Sequence, residues 1–120
     1  MIITISVAGK PWTTNEERKS RHWANRARRT RAWRESFAWR AKPHRAAHGT
    51  LSTATITVQP HQSRGRLADT AAHNPAAKAA IDGIVDAGLL PDDGPTHLTA
   101  ITFLAPRRGP DGLTLTIEGA

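Results

Sequence analysis

The chain opens on an alternation of apolar and polar positions. In "IITISVA", residues 2 to 8, β-branched side chains recur at every second place, which predicts a strand with one buried face. Gly9, Pro11 and "TTN" interrupt it, and Thr14 followed by Glu17 three residues later fits a helix-capping box. The pattern then changes to a helical one, predicting a long helix between Glu16 and Lys42, ended by Pro43 and Gly49. Trp23, Ala27, Thr30, Phe37 and Ala41 share one face of it, flanked by Trp33 and Ala38, and this stripe is expected to be core. Trp39 falls on the far side, near the direction of Arg21 and Arg28, where it is available to a nucleobase or to a second subunit.

Alternation returns in "TLSTATITVQP", residues 50 to 60. Ala54, Ile56 and Val58 lie on one face and Thr55 and Thr57 on the other, so a half-buried strand is expected, ended by Pro60. A basic loop, "HQSRGR", follows. Asn74-Pro75 makes a good helix start, with Asn as N-cap and Pro at the first helical position. The helix then places Ala77, Ile81, Ile84 and Gly88 on one face, with Val85 beside them and Gly88 as its stop. "HLTAITFLA" and "LTLTIEG" read as two final strands, joined as a hairpin by "PRRGPDG". The order β-α-β-α-β-β predicts a single α+β domain over residues 1–120, a mixed sheet of about four strands with two helices packed on it.

Charge changes this picture more than composition does. The formal net charge is +7, and it is uneven: between Arg18 and Arg45 there are 11 Lys or Arg against one acid, Glu35. That segment carries +10, while the remainder holds 6 basic and 9 acidic residues. So dense a basic patch attracts a polyanion, of which nucleic acid is the obvious one; a solvated basic face or a contact with anionic lipid is the plainer alternative. There is no cysteine, which excludes disulfides and thiolate metal sites. No stretch approaches the roughly 20 apolar residues of a membrane span, and the first strand lacks a signal-peptide cleavage pattern. A soluble, cytoplasmic protein is the resulting expectation.

The acidic residues stand in contrast. Lys78 and Asp82 are four apart on an exposed face of the second helix, continued by Asp86, which alone would make an ordinary surface ion pair. Asp69 precedes the helix and Asp92-Asp93 follow it. They fit either turn chemistry or a hard-cation site in which carboxylate oxygens hold Mg²⁺ against phosphate. The second reading carries a geometric demand. A 13-residue helix is about 20 Å long, so acids at its two ends meet only if a flanking loop doubles back.

"KAAIDGIVDAGLLPDD", followed by a strand and the ending "GLTLTIEG", resembles the RusA-type Holliday junction resolvases, and "TTNEERKSRHWANRARRTRAWR" is similar to the opening helix of many of them. The resemblance covers essentially the whole chain. It implies a small, homodimeric, metal-dependent endonuclease (Mg²⁺, with Mn²⁺ as a substitute) that resolves branched DNA by phosphodiester hydrolysis. Matched by position, Asp69, Lys78 and Asp93 are the implied catalytic residues, and Asp69, Asp92 and Asp93 the implied metal ligands. Asp82, His73 and Asn74 would support them. Arg21, Arg26, Arg28, Arg29, Arg31, Arg64 and Arg66 are expected to hold the DNA backbone. Where the family carries a second Asp and an Asn after Asp69, this chain reads Ala71-Ala72, with His73 and Asn74 in a lengthened connection. A RusA-derived protein that binds branched or duplex DNA without cutting it is therefore the alternative.

Overall fold

The alternating segments form a sheet with one buried and one open face. In a computed structural model, which describes residues 1–19 and 22–120, the elements run β1 (Ile2–Ala8), α1 (Thr14–Lys19), α2 (Trp23–His48), β2 (Ala54–Gln62), α3 (Asn74–Asp86), β3 (Leu98–Phe103), β4 (Arg107–Arg108) and β5 (Gly112–Gly119). The sheet order is β1-β5-β2-β3, with the short β4 also pairing with β2. β5 is antiparallel to both of its neighbours, whereas β3 and β4 run parallel to β2. The sheet is thus mixed and the domain α+β, as the order of elements predicts.

Ile3, Ile5 and Val7 of β1, Leu113, Leu115 and Ile117 of β5, and Ala54, Ile56 and Val58 of β2 are all buried beneath the helices. The opposite face is polar and β-branched. One register row crosses the four long strands as Thr4, Thr116, Thr57 and Thr102.

The expected terminal hairpin does not form. β3 and β5 lie on opposite sides of β2, and β5 fills the gap between β1 and β2. Burial explains the choice: Leu113, Leu115 and Ile117 are fully buried in a central strand, while Ile101 of the edge strand β3 is 42% exposed. Nor does Pro60 end β2, which continues to Gln62. β3 pairs with β2 as far as Val58 and β4 resumes at His61, so Pro60, which has no N–H to donate, falls where that edge of the ladder is already broken. Gln59 Nε2 spans the break, donating to the carbonyls of Pro60 (2.8 Å) and Ala105 (3.0 Å).

The first helix also differs from expectation. It is two helices, and α2 passes through Pro43 to stop at Gly49. The capping box lies one residue earlier than expected: Glu16 N donates to Thr13 Oγ1 at 3.2 Å, and the hydroxyl in turn donates to the Glu16 carboxylate. Of the expected core stripe, Phe37 and Ala41 are buried, but Trp23 is 73% exposed. The cause is length. A 26-residue helix spans about 39 Å against about 20 Å for α3, so α2 overhangs the element it packs on. They come close together at Gly83, where a Cβ would meet Arg34 O at 2.3 Å. Trp23 lies three turns beyond that point. The aromatic core is built instead by Trp12, Trp33 and Phe37, whose successive ring centroids are 5.8 and 5.6 Å apart.

Candidate functional site

α3 is the element on which the candidate site is built. Its inner face is small and apolar, with Ala76, Ala77, Ala79, Ala80 and Gly83 buried beside Ile81 and Ile84. Lys78, Asp82 and Asp86 recur every four residues along the remaining stripe, as helix geometry requires. The N-cap position belongs to His73 rather than Asn74, and it makes no side-chain capping bond. A turn closed by Ala72 N donating to Asp69 O leads the chain in, so Asn74 is already helical.

At the other end the helix stops as its sequence predicts. Gly88 has φ +80°, its N–H donates to Val85 O, and Leu89 N donates to Ile84 O. These bonds form a Schellman motif, and the positive φ favours glycine there. Leu89 and Leu90 are fully buried, so the chain is anchored as it reverses. The segment then runs back along α3 and meets the geometric demand for Asp93. Lys78 Nζ donates to Asp93 Oδ2 and, at 2.7 Å, to Asp82 Oδ1.

Lys78, Asp82 and Asp93 therefore meet at one ammonium. Hydrogen bonds to Asp82 and then Asp93 hold the Lys78 pKa above its usual value, and the bond from Lys78 holds the Asp93 carboxyl below its own. On the neighbouring helix, Arg34 grips Asp86 through two nitrogens, Nη2 donating at 2.7 Å, and stands 3.9 Å from Asp82. That interaction lowers the Asp86 pKa. Arg34 carried no role in the sequence reading, because its partners are 48 and 52 residues away in the chain.

The other acids lie elsewhere. Asp92 accepts from Gly94 N at 2.7 Å, the bond of an ordinary Asx turn, with His97 Nε2 4.0 Å away. Asp69 lines a groove of about 490 Å³ together with Thr13, Thr14, Asn15 and Arg66. Among the described residues, no hydrogen bond or ion pair joins its carboxylate to the Lys78 cluster, and no three His, Asp or Glu side chains stand close enough together to hold a metal ion.

His73 is buried, its Nδ1 3.4 Å from Trp12 O, and burial lowers its pKa. It belongs to the packing between the α1 and α3 starts rather than to the acidic cluster.

The expected DNA contacts divide in the same way. Arg28 and Arg31 are exposed on α2 and Arg26 is half-buried there. Arg29 is matched within the protein, pairing with Glu17 at 3.2 Å and lying over the Trp12 ring at 4.6 Å. Arg64 and Arg66 are exposed on a loop whose backbone is pinned by Gln62 Nε2. Arg108 Nη2 donates to Gly65 O at 2.8 Å, which adds Arg107 and Arg108 to that basic corner. No sequence pattern singled them out, since the pairing of β4 with β2 brings the two segments together. Arg21 lies outside the described residues. No described helix is long and apolar enough to cross a membrane. The chain matches no known family model, and a search of curated proteins finds no match.

Proposed function

We propose that this chain is a structure-specific endonuclease that hydrolyses phosphodiesters in branched DNA with the help of Mg²⁺, in the manner of the RusA-type resolvases it resembles. One observation carries the reading: the return of the 87–97 segment, which sets Asp93 against Lys78 beside Asp82. Asp82 and Asp93 are the type of donor a hard cation takes, though no third acid among the described residues joins them. Two carboxylates converge on a point already occupied by a positive charge, the Lys78 ammonium, and Mg²⁺ is commonly held by one or two carboxylates with phosphate and water completing its shell. Asp82 and Asp93 would hold it, rather than the set of Asp69, Asp92 and Asp93 that the resemblance implies. When bound, the cation supplies Lewis-acid stabilisation of charge on the phosphate oxygens.

The protein's own groups supply the rest. Lys78 would turn its ammonium from the carboxylates to the phosphate and serve there as a cation, not as a base. Arg34 holds the acidic stripe of α3 in place, and the basic face of α2 tracks the DNA backbone. A twofold dimer would present two such centres to the two strands of a four-way junction.

The test is cleavage of a synthetic four-way junction with and without Mg²⁺. Cleavage by the parent protein should be lost in Asp93→Asn and in Asp82→Asn, with DNA binding equal or tighter because a repelling carboxylate is gone. Binding without cleavage in the parent, in Mg²⁺ and in Mn²⁺ alike, would support the second reading, a resolvase-derived binding protein. That alternative is favoured by a specific feature: Lys78 already neutralises both carboxylates, and Asp69 shares no bond with them.

A further inference from the structure

The overhanging end of α2 carries a feature that the acidic cluster does not use. Trp23 is 73% exposed, and it forms one wall of an open groove of about 600 Å³. Arg26, Arg31 and Arg34 line the same groove, with Ala27 and Thr30 between them and Glu17 at its side. A bare indole on a protein surface has a driving force to be covered. Its neighbours restrict what can cover it. Ala27 and Thr30 are small and Trp23 is largely exposed, so no bulky side chain between the arginines closes the groove to a flat ring. Neither Arg26 nor Arg31 has an ion-pair partner among the described residues. An apolar protein segment would desolvate those two charges without repaying them, whereas a nucleotide brings a flat apolar ring together with a negative charge.

We propose that Trp23, with Arg26, Thr30 and Arg31, forms a stacking site for an unpaired nucleobase of DNA. The base lies against the indole, Thr30 offers a hydroxyl to its edge, and the two arginines take the flanking phosphates. The groove also has a direction. Arg34 lines it on one side and stands 3.9 Å from Asp82 on the other, so its far end opens toward the Lys78 cluster. An unpaired nucleotide held at Trp23 places the neighbouring phosphates along α2 toward that cluster. This gives a physical basis for preferring branch points, where bases are already unstacked, over continuous duplex. The inference rests on the branched-DNA reading above and adds the group that would recognise the branch.

Affinities of the full chain and of its Trp23→Ala and Trp23→Phe variants should be measured for oligothymidine, for a forked duplex with unpaired thymines, and for a fully paired duplex of equal length. Because Trp23 is exposed, the variants should melt as the parent does. Trp23→Ala should bind oligothymidine and the fork about 5- to 150-fold more weakly, the range of a single base–aromatic stack, and leave the paired duplex within about twofold. Trp23→Phe should recover most of the loss, and oligothymidine should quench less tryptophan fluorescence in it than in the parent. Unchanged affinity for oligothymidine in Trp23→Ala, or an equal loss on all three DNAs, overturns the stacking site and leaves the branched-DNA reading standing. A change in sedimentation of Trp23→Ala without DNA would make the indole a contact between copies of the chain and also overturns it. Absence of binding by the parent to every DNA overturns both readings.

Discussion

The two long helices lie side by side and are used in opposite ways. α3 buries seven of its 13 residues, most of them alanine or glycine, whereas α2 buries only Phe37 and Ala41 out of 26. Small residues let α3 settle closely against α2, which fixes the height and direction of Lys78 and Asp82. α2 is held mainly at its middle, where Trp39 nevertheless faces solvent, and its ends extend into solvent with arginine, lysine and the exposed Trp23. One helix is a strut that positions a few polar groups; the other is a rack that displays charge. The burial of an amphipathic face, more than intrinsic propensity, decides where a helix contributes stability, and here that burial is concentrated in one helix and in the centre of the other.

The contrast can be broken most severely at the anchor of α2. Phe37→Ala should cost about 3–5 kcal/mol, the usual loss for truncating a buried aromatic, while Trp39→Ala two residues away should stay within about 0.5 kcal/mol. Chemical denaturation of both variants checks this, and similar midpoints would show that α2 is not pinned where its burial indicates.

Gly83→Ala should come next, at about 1–3 kcal/mol, because its Cβ would lie 2.3 Å from Arg34 O and must push the helices apart. The exchange replaces glycine with a better helix former, so a rise in melting temperature would sink the claim of close approach.

Arg34→Ala should have the smallest effect, at most about 1 kcal/mol at neutral pH, since its ion pairs are exposed to solvent. Its sign with pH is fixed. The Asp86 carboxyl is held below its usual range in the folded protein, so the contribution is present above the unfolded carboxylate pKa, about 3.9, and is lost as pH falls through the folded value. The stability difference between variant and parent should therefore shrink in acid, as melting curves from pH 7 down to 3 would record.

These elements also mark how far the sequence could be read. Strand alternation named the buried faces of β1 and β2 because side chains on a strand change sides at every residue, whatever the partner. Gly88 was legible as a helix stop because the left-handed conformation is a local demand. Partnering was not. Nothing local in "HLTAITFLA" or "LTLTIEG" says that a third strand separates them, and the short "PRRGPDG" connection suggests the opposite. Trp23 lies on the same helical stripe as Phe37 and has the same pattern around it, because periodicity gives direction around a helix and not the length of the neighbour beneath it. At the site, the i,i+4 spacing of Lys78 and Asp82 was local and legible. The meeting with Asp93 needed the reversal at Gly88 and the anchoring of Leu89 and Leu90, which spacing alone does not supply. Arg34 joined the acidic stripe only through the packing of two helices.

The threonine row across the open side of the sheet has a consequence for solubility. A sheet covered by helices on one side only must keep its extended backbone without burying the other side. Threonine suits this, since its branched Cβ favours the strand while its hydroxyl stays hydrated. In Thr4, Thr116, Thr57 and Thr102, four strands therefore keep their geometry with no second layer and with little adhesive surface. Valine at the same four places would preserve shape and strand preference, but it would turn a wettable wall into a continuous apolar stripe. Such a stripe ends at the unpaired edges of β1 and β3, where chains can join strand to strand. The hydroxyls thus keep the open face of the folded sheet from becoming a surface on which copies of the chain can gather.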